Sequence, residues 1–72
     1  MDLIIETPKG KTIFIEIKSA KFVDISEIQR LETISNDAAA DRAVIVSQER
    51  FGRKVGSVSI LPWQQALDEI MN

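Results

Sequence analysis

Lys11-Thr12-Ile13-Phe14-Ile15-Glu16-Ile17-Lys18-Ser19 is the stretch on which the reading of this chain turns. Ile13, Ile15 and Ile17 alternate with Thr12, Phe14, Glu16 and Lys18, the period of two expected of a strand packed on one side. Immediately before it, Pro8-Lys9-Gly10 has the chemistry of a three-residue hairpin loop. Proline suits the second position of a type I turn, and a glycine can take the left-handed conformation that closes the loop. A first strand over Asp2 to Thr7 then pairs antiparallel with Lys11 to Ser19. If Thr7 faces Lys11, paired positions sum to eighteen and Asp2 falls opposite Glu16. Directly opposed residues share a face, so Asp2, Glu16 and Lys18 are expected side by side, with Phe14 next to them.

Downstream, Asp24 as N-cap, Glu27 as its capping-box partner, and Val23 with Ile28 as a staple mark the start of a helix over Ile25 to Asn36. Its apolar stripe is Ile25, Ile28, Leu31, Ile34 and Ser35, while Glu27, Arg30 and Glu32 read as wet. Ala43-Val44-Ile45-Val46 is a short apolar run of the kind found in a strand buried on both faces. Strand, helix and apolar strand form a right-handed crossover, which puts Glu16 and Lys18 at the carboxyl end of a strand, where open α/β sheets hold ligands. Gln48 to Gly56 reads as a mobile loop carrying Arg50, Arg53 and Lys54. Ser57 to Leu61 reads as an edge strand, and Pro62 as the first position of a final helix through Met71 with Trp63, Ala66, Leu67 and Ile70 on its apolar face. The fold class is therefore α/β, a β-β-α-β-β-α order with a mixed sheet and helices packed against it, in one domain over residues 1–72.

Composition narrows what such a domain can do. Seventy-two residues lie near the lower limit for a self-sufficient hydrophobic core. With no cysteine and no histidine, disulfides and thiolate or imidazole zinc sites are excluded. Support is then expected from oligomerisation, a covering domain or a carboxylate-bound metal. The N-terminus lacks the basic region of a signal peptide and no run reaches membrane-spanning length, so the chain reads as cytoplasmic. A net charge of −2 argues against a purely electrostatic nucleic-acid binder but is compatible with a nuclease, whose metal site itself contributes carboxylates.

Asp2, then Glu16-Ile17-Lys18 inside a strand, followed by a capped helix and an apolar strand, resembles the PD-(D/E)xK nuclease-like superfamily. More narrowly, Phe14-Ile15-Glu16-Ile17-Lys18-Ser19-Ala20 and Ile60-Leu61-Pro62-Trp63 look like the C-terminal nuclease-like module of certain prokaryotic AAA-type ATPases, a likeness that covers nearly the whole chain. The resemblance implies a restriction-endonuclease-like core and hydrolysis of DNA phosphodiester bonds. The matches to Asp2 and Glu16, with the Ile17 carbonyl, would bind magnesium or manganese, and the match to Lys18 would support the attacking water. Hard divalent cations take oxygen ligands, and a lysine one pleat along can stabilise developing negative charge, which gives the same assignment a physical basis. Family members place a helix and a strand before the motif aspartate, whereas here Asp2 is the second residue. The implied core is thus truncated, either a piece of a longer, ATPase-containing chain or a reduced version completed by another subunit.

Arg50, Arg53 and Lys54 are the expected DNA contacts, set against the ordinary reading of a charged surface loop. Gln29 reads as solvated, Trp63 as a core anchor, and Ser19 has no nearby histidine and no general base, so serine-hydrolase chemistry is not supported. The alternative to an enzyme is a non-catalytic module that keeps the scaffold and pairs subunits, a homodimer, or docks a partner.

Overall fold

The structure, a computed structural model, describes residues 2–71. Its elements are β1 (Leu3–Glu6), β2 (Thr12–Ile17), α1 (Ile25–Asp37), β3 (Arg42–Ser47), β4 (Arg53–Val55), β5 (Val58–Pro62) and α2 (Trp63–Met71). They form a small mixed α/β domain around a five-stranded sheet of order β1-β2-β3-β5-β4, in which β2, β3 and β5 run parallel and the two outer strands antiparallel.

The hairpin register is the one expected from its loop. Leu3 faces Ile15, Ile4 faces Phe14, Ile5 faces Ile13 and Glu6 faces Thr12. Gly10 has φ +80 and donates its N–H to the Thr7 carbonyl at 2.9 Å, while the Thr7 N–H reaches the Lys11 carbonyl at 2.8 Å. This is a tight turn closed by a left-handed glycine.

Alternation along the strands sends side chains to two cores. Phe14, Ala43, Ile45, Val58 and Ile60 meet Val23, Ile28 and Leu31 under α1, and Ile13, Ile15, Val44 and Leu61 meet Ala66 of α2 on the opposite face. Val44, Ile45, Val58 and Ile60 have no measurable exposure, which makes β3 and β5 the apolar centre.

Several expectations need correction. Ser57 to Leu61 is no edge, because β5 lies between β3 and β4. The edge is β4, formed within the stretch read as a loop, and it turns into β5 through Gly56-Ser57, a two-residue connection with positive φ at its first position. Pro62 closes β5 and α2 begins at Trp63. Trp63 and Leu67 are about half exposed, so Trp63 is no core anchor, and Ala66 carries the buried contact. In α1 the buried residues are Ile28, Leu31 and Ser35, with Ile25 and Ile34 at the margins. Asp24 is the N-cap, but through its backbone carbonyl, which accepts from Glu27 and Ile28; its side chain takes the Ser26 hydroxyl instead, so there is no capping box.

Glu32 is not simply wet. Its Oε2 accepts the Ser57 N–H at 2.6 Å and the Ser57 hydroxyl at 2.9 Å, so α1 clamps the β4–β5 turn and the Glu32 carboxyl is held below its ordinary range. A methyl group on Gly56 would collide with that carboxylate, and φ there is +58. Gly56→Ala is therefore expected to cost about 2 kcal/mol, a backbone contribution plus a lost hydrogen bond. Gly10→Ala has positive φ but open space around it and is expected to cost about half as much. Urea denaturation of the two variants checks this, and equal costs would mean that the Glu32 clamp contributes nothing.

Candidate active site at the carboxyl end of the second strand

β2 feeds α1, and β3 returns parallel to it, so the last residues of β2 open onto the first turns of α1. Glu16 is on the α1 face of β2, the same face as Phe14, and is only 4% exposed. A carboxylate at such depth needs compensation. Lys18 Nζ lies 3.6 Å from Glu16 Oε2 and Arg30 Nη2 lies 3.4 Å from the same oxygen. Glu16 is thus covered by α1, with its charge met by Lys18 and by the more exposed Arg30.

Lys18 sits between two carboxylates. Its ammonium is 3.0 Å from Glu27 Oε1 as well as 3.6 Å from Glu16. Hydrogen bonding to Glu27 holds its pKa above the ordinary lysine value, with partial burial acting against this and the Glu16 charge adding to it. The Lys18 backbone N–H donates to the Val46 carbonyl at 2.9 Å, which carries the β2–β3 pairing past the end of the strand and fixes where the side chain starts.

Asp2 precedes β1, outside the paired register that begins with Leu3 and Ile15, and its N–H donates to the Ile15 carbonyl at 3.3 Å. Its Oδ2 accepts the Ile17 N–H at 2.8 Å. The structure thus brings Glu16 and Lys18 together and ties the Asp2 carboxylate to the Ile17 backbone at the same end of β2. Among the described residues no group of three or more aspartate, glutamate, histidine or cysteine side chains is disposed to hold a metal. Two carboxylates and a carbonyl nevertheless suit magnesium or manganese, which commonly use one or two protein carboxylates and complete their shell with water and phosphate oxygens. These are the donor types that such an ion takes.

Of the basic residues, Arg50 and Lys54 are exposed. Arg53 is committed elsewhere. Its Nε and Nη2 donate to Glu49 at 2.7 and 2.9 Å, Nη2 also reaches the Val23 carbonyl at 3.2 Å, and the guanidinium stacks 4.8 Å over the Phe22 ring. Glu49, 8% exposed, in turn accepts the Val23 N–H at 2.7 Å. Gln29 is exposed, as read.

Sequence reasoning missed Glu27 and Arg30 as partners of the site. The available signal was their spacing: three residues apart, of opposite charge, flanking the buried positions Ile28 and Leu31, they share a helix edge. Glu49 gave no such signal, since nothing in a polar loop distinguishes a carboxylate that will be buried.

On the α2 face the covering is incomplete. α2 packs on β3 and β5, leaving an apolar groove of about 260 Å³ whose lining includes Leu3, Ile17, Trp63, Leu67 and Met71. No helix among the described residues is long and apolar enough to cross a membrane. Comparison of the chain with protein-family models, with curated proteins and with solved structures finds no match.

Proposed function

We propose that this domain is a divalent-metal-dependent DNA endonuclease-like module built on a PD-(D/E)xK-like scaffold. The observation that supports the reading is the Lys18 ammonium 3.6 Å from the buried Glu16 carboxylate, at the end of β2 where the Asp2 carboxylate accepts the Ile17 N–H. Asp2, Glu16 and the Ile17 carbonyl would hold magnesium or manganese, which when bound acts as a Lewis acid on a phosphodiester and its attacking water. Lys18 contributes a fixed positive charge. Clamped between Glu16 and Glu27, it stands where a phosphoryl group held at Glu16 gathers negative charge, and a preorganised charge there stabilises the transition state at little reorganisation cost. α1 over Glu16 excludes water from one side of the carboxylate. Exposed Arg50 and Lys54 supply the contacts to the DNA backbone, and such contacts weaken steeply with added salt. The test is incubation of plasmid and branched DNA with the protein and manganese. Cleavage that needs the metal is expected, and no cleavage above a Glu16→Ala control would remove the enzymatic reading.

A second reading is favoured by the uncovered face. Leu3, Ile17, Trp63 and Leu67 are about half exposed and Met71 more so. Together they form an apolar patch continuous with the groove beside α2, the kind of surface that marks an interaction site. Beside this face β1 is an open sheet edge that presents Leu3-Ile4-Ile5 without lysine or proline, whereas β4 guards the other edge with Arg53 and Lys54. In this reading the occupant is a second copy of the chain. Light scattering is expected to show a dimer that Leu67→Glu converts to monomer, and a wild-type monomer unchanged by dilution would rule the pairing out.

A further inference from the structure

The guanidinium of Arg30 has a role that its position on an exposed helix edge does not advertise. Among the partners of Glu16 Oε2 are the cations of two described side chains, Lys18 Nζ at 3.6 Å and Arg30 Nη2 at 3.4 Å. Both distances exceed those of a well-formed charge-assisted hydrogen bond, roughly 2.7–2.9 Å. The two cations are held very differently. Lys18 has a second and closer carboxylate, Glu27 at 3.0 Å, and its side chain is 28% exposed. Arg30 has Glu16 as its one ion-pair partner among the described residues, and its side chain is 58% exposed. Of the two, Arg30 alone can leave without giving up a tighter bond, and its head would leave into water.

We propose that Arg30 is a displaceable counter-ion: it occupies Glu16 while no divalent cation is bound, gives way when one arrives, and is then free to take an oxygen of a phosphodiester. This rests on the metal-dependent reading given above and adds a coupling to it. A dication and a guanidinium drawing on the same carboxylate oxygen compete for its lone pairs and repel each other at short range. Metal binding therefore has to displace Arg30, and a phosphate that accepts the displaced guanidinium makes that displacement easier. Linkage then requires the metal and the phosphodiester each to tighten the binding of the other. The arrangement makes the site load its metal together with its substrate.

The test is manganese binding by titration calorimetry, with no turnover involved. Arg30→Gln is expected to tighten manganese about tenfold, because the competitor is gone, and Arg30→Lys to return the affinity toward that of the wild type. Lys9→Gln, the same change of charge in the hairpin loop at the opposite end of β2, is expected to change it less than twofold. Glu16→Gln should abolish binding. If the wild type binds, Glu16→Gln does not, and Arg30→Gln binds no more tightly than the wild type, the counter-ion role is overturned while the metal site stands. If neither the wild type nor Arg30→Gln binds manganese, or if Glu16→Gln binds as well as the wild type, both fall. Arg30 lies outside both cores, so circular dichroism should show each variant folded.

Discussion

Glu49→Gln is expected to lower the unfolding free energy by about 2–3 kcal/mol, a large share of the roughly 4–11 kcal/mol available to a domain of this size. The carboxylate joins segments far apart in sequence. It takes Arg53 at two points and the Val23 N–H at a third, while its own N–H reaches the Ser47 hydroxyl at 3.1 Å. It thus ties the segment entering α1 to the start of β4, next to the end of β3. Glutamine keeps one acceptor but loses the charge that offsets a guanidinium only 31% exposed. Arg53→Met is the harsher change, because it strands a buried carboxylate. The Glu49→Met, Arg53→Met double variant should be more stable than the two single losses would add up to, since neither charge is left without its partner.

The pH dependence has a definite sign. The Arg53 guanidinium, then the Val23 N–H, hold the Glu49 carboxyl below its ordinary value of 4.5, with burial acting the other way. A carboxyl with a lowered folded-state pKa contributes its full stability above the unfolded value and loses it as pH falls through the folded one. The gap between wild type and Glu49→Gln, measured in urea at several pH values, should therefore be constant near neutrality and close below about 4.5. A gap of the same size at pH 3 and pH 7 would show that the charge is not what the variant removes.

Cleavage of DNA in manganese should fall by a factor of about 1,000 or more in Glu16→Gln, the loss expected when a ligand of a catalytic cation goes. Structure should survive the change. Lys18 retains Glu27, and Arg30 is exposed enough for water to take its charge. Lys18→Met separates the two roles, because the ammonium is assigned to the transition state and the carboxylate to the ion. The methionine variant should bind manganese at least as well as the wild type and yet cleave about 100-fold more slowly. Loss of manganese binding in Lys18→Met, or wild-type cleavage in Glu16→Gln, would each refute the division of labour.

Much of this was legible in the chain because it is local. Alternation over Thr12 to Lys18 set the two faces of β2, and Pro8-Lys9-Gly10 set the loop length. Once the loop length is known the register follows, from Glu6 opposite Thr12 to Leu3 opposite Ile15. The apolar run at Ala43 to Val46 marked a central parallel strand for the same reason: a strand with helices on both sides has no polar face to show. Ser57 to Leu61 misled because its one apparent polar face, Ser57 and Ser59, reads as an edge. β4, three residues long, covers that side, and so short a strand has no period to detect.

The sequence by itself determined the hairpin, its register, the crossover and the meeting of Glu16 and Lys18 at one end of β2, since each follows from backbone geometry over a few residues. The tertiary structure alone decided that Glu16 is roofed by α1, that Glu27 and Arg30 divide the charges there, that Glu49 is buried against Arg53, and that an apolar groove is left beside α2. Those outcomes depend on how a helix is set over a sheet and on which side chains reach across the gap. A shift of one turn in that docking would change every one of these partners without altering a single local preference.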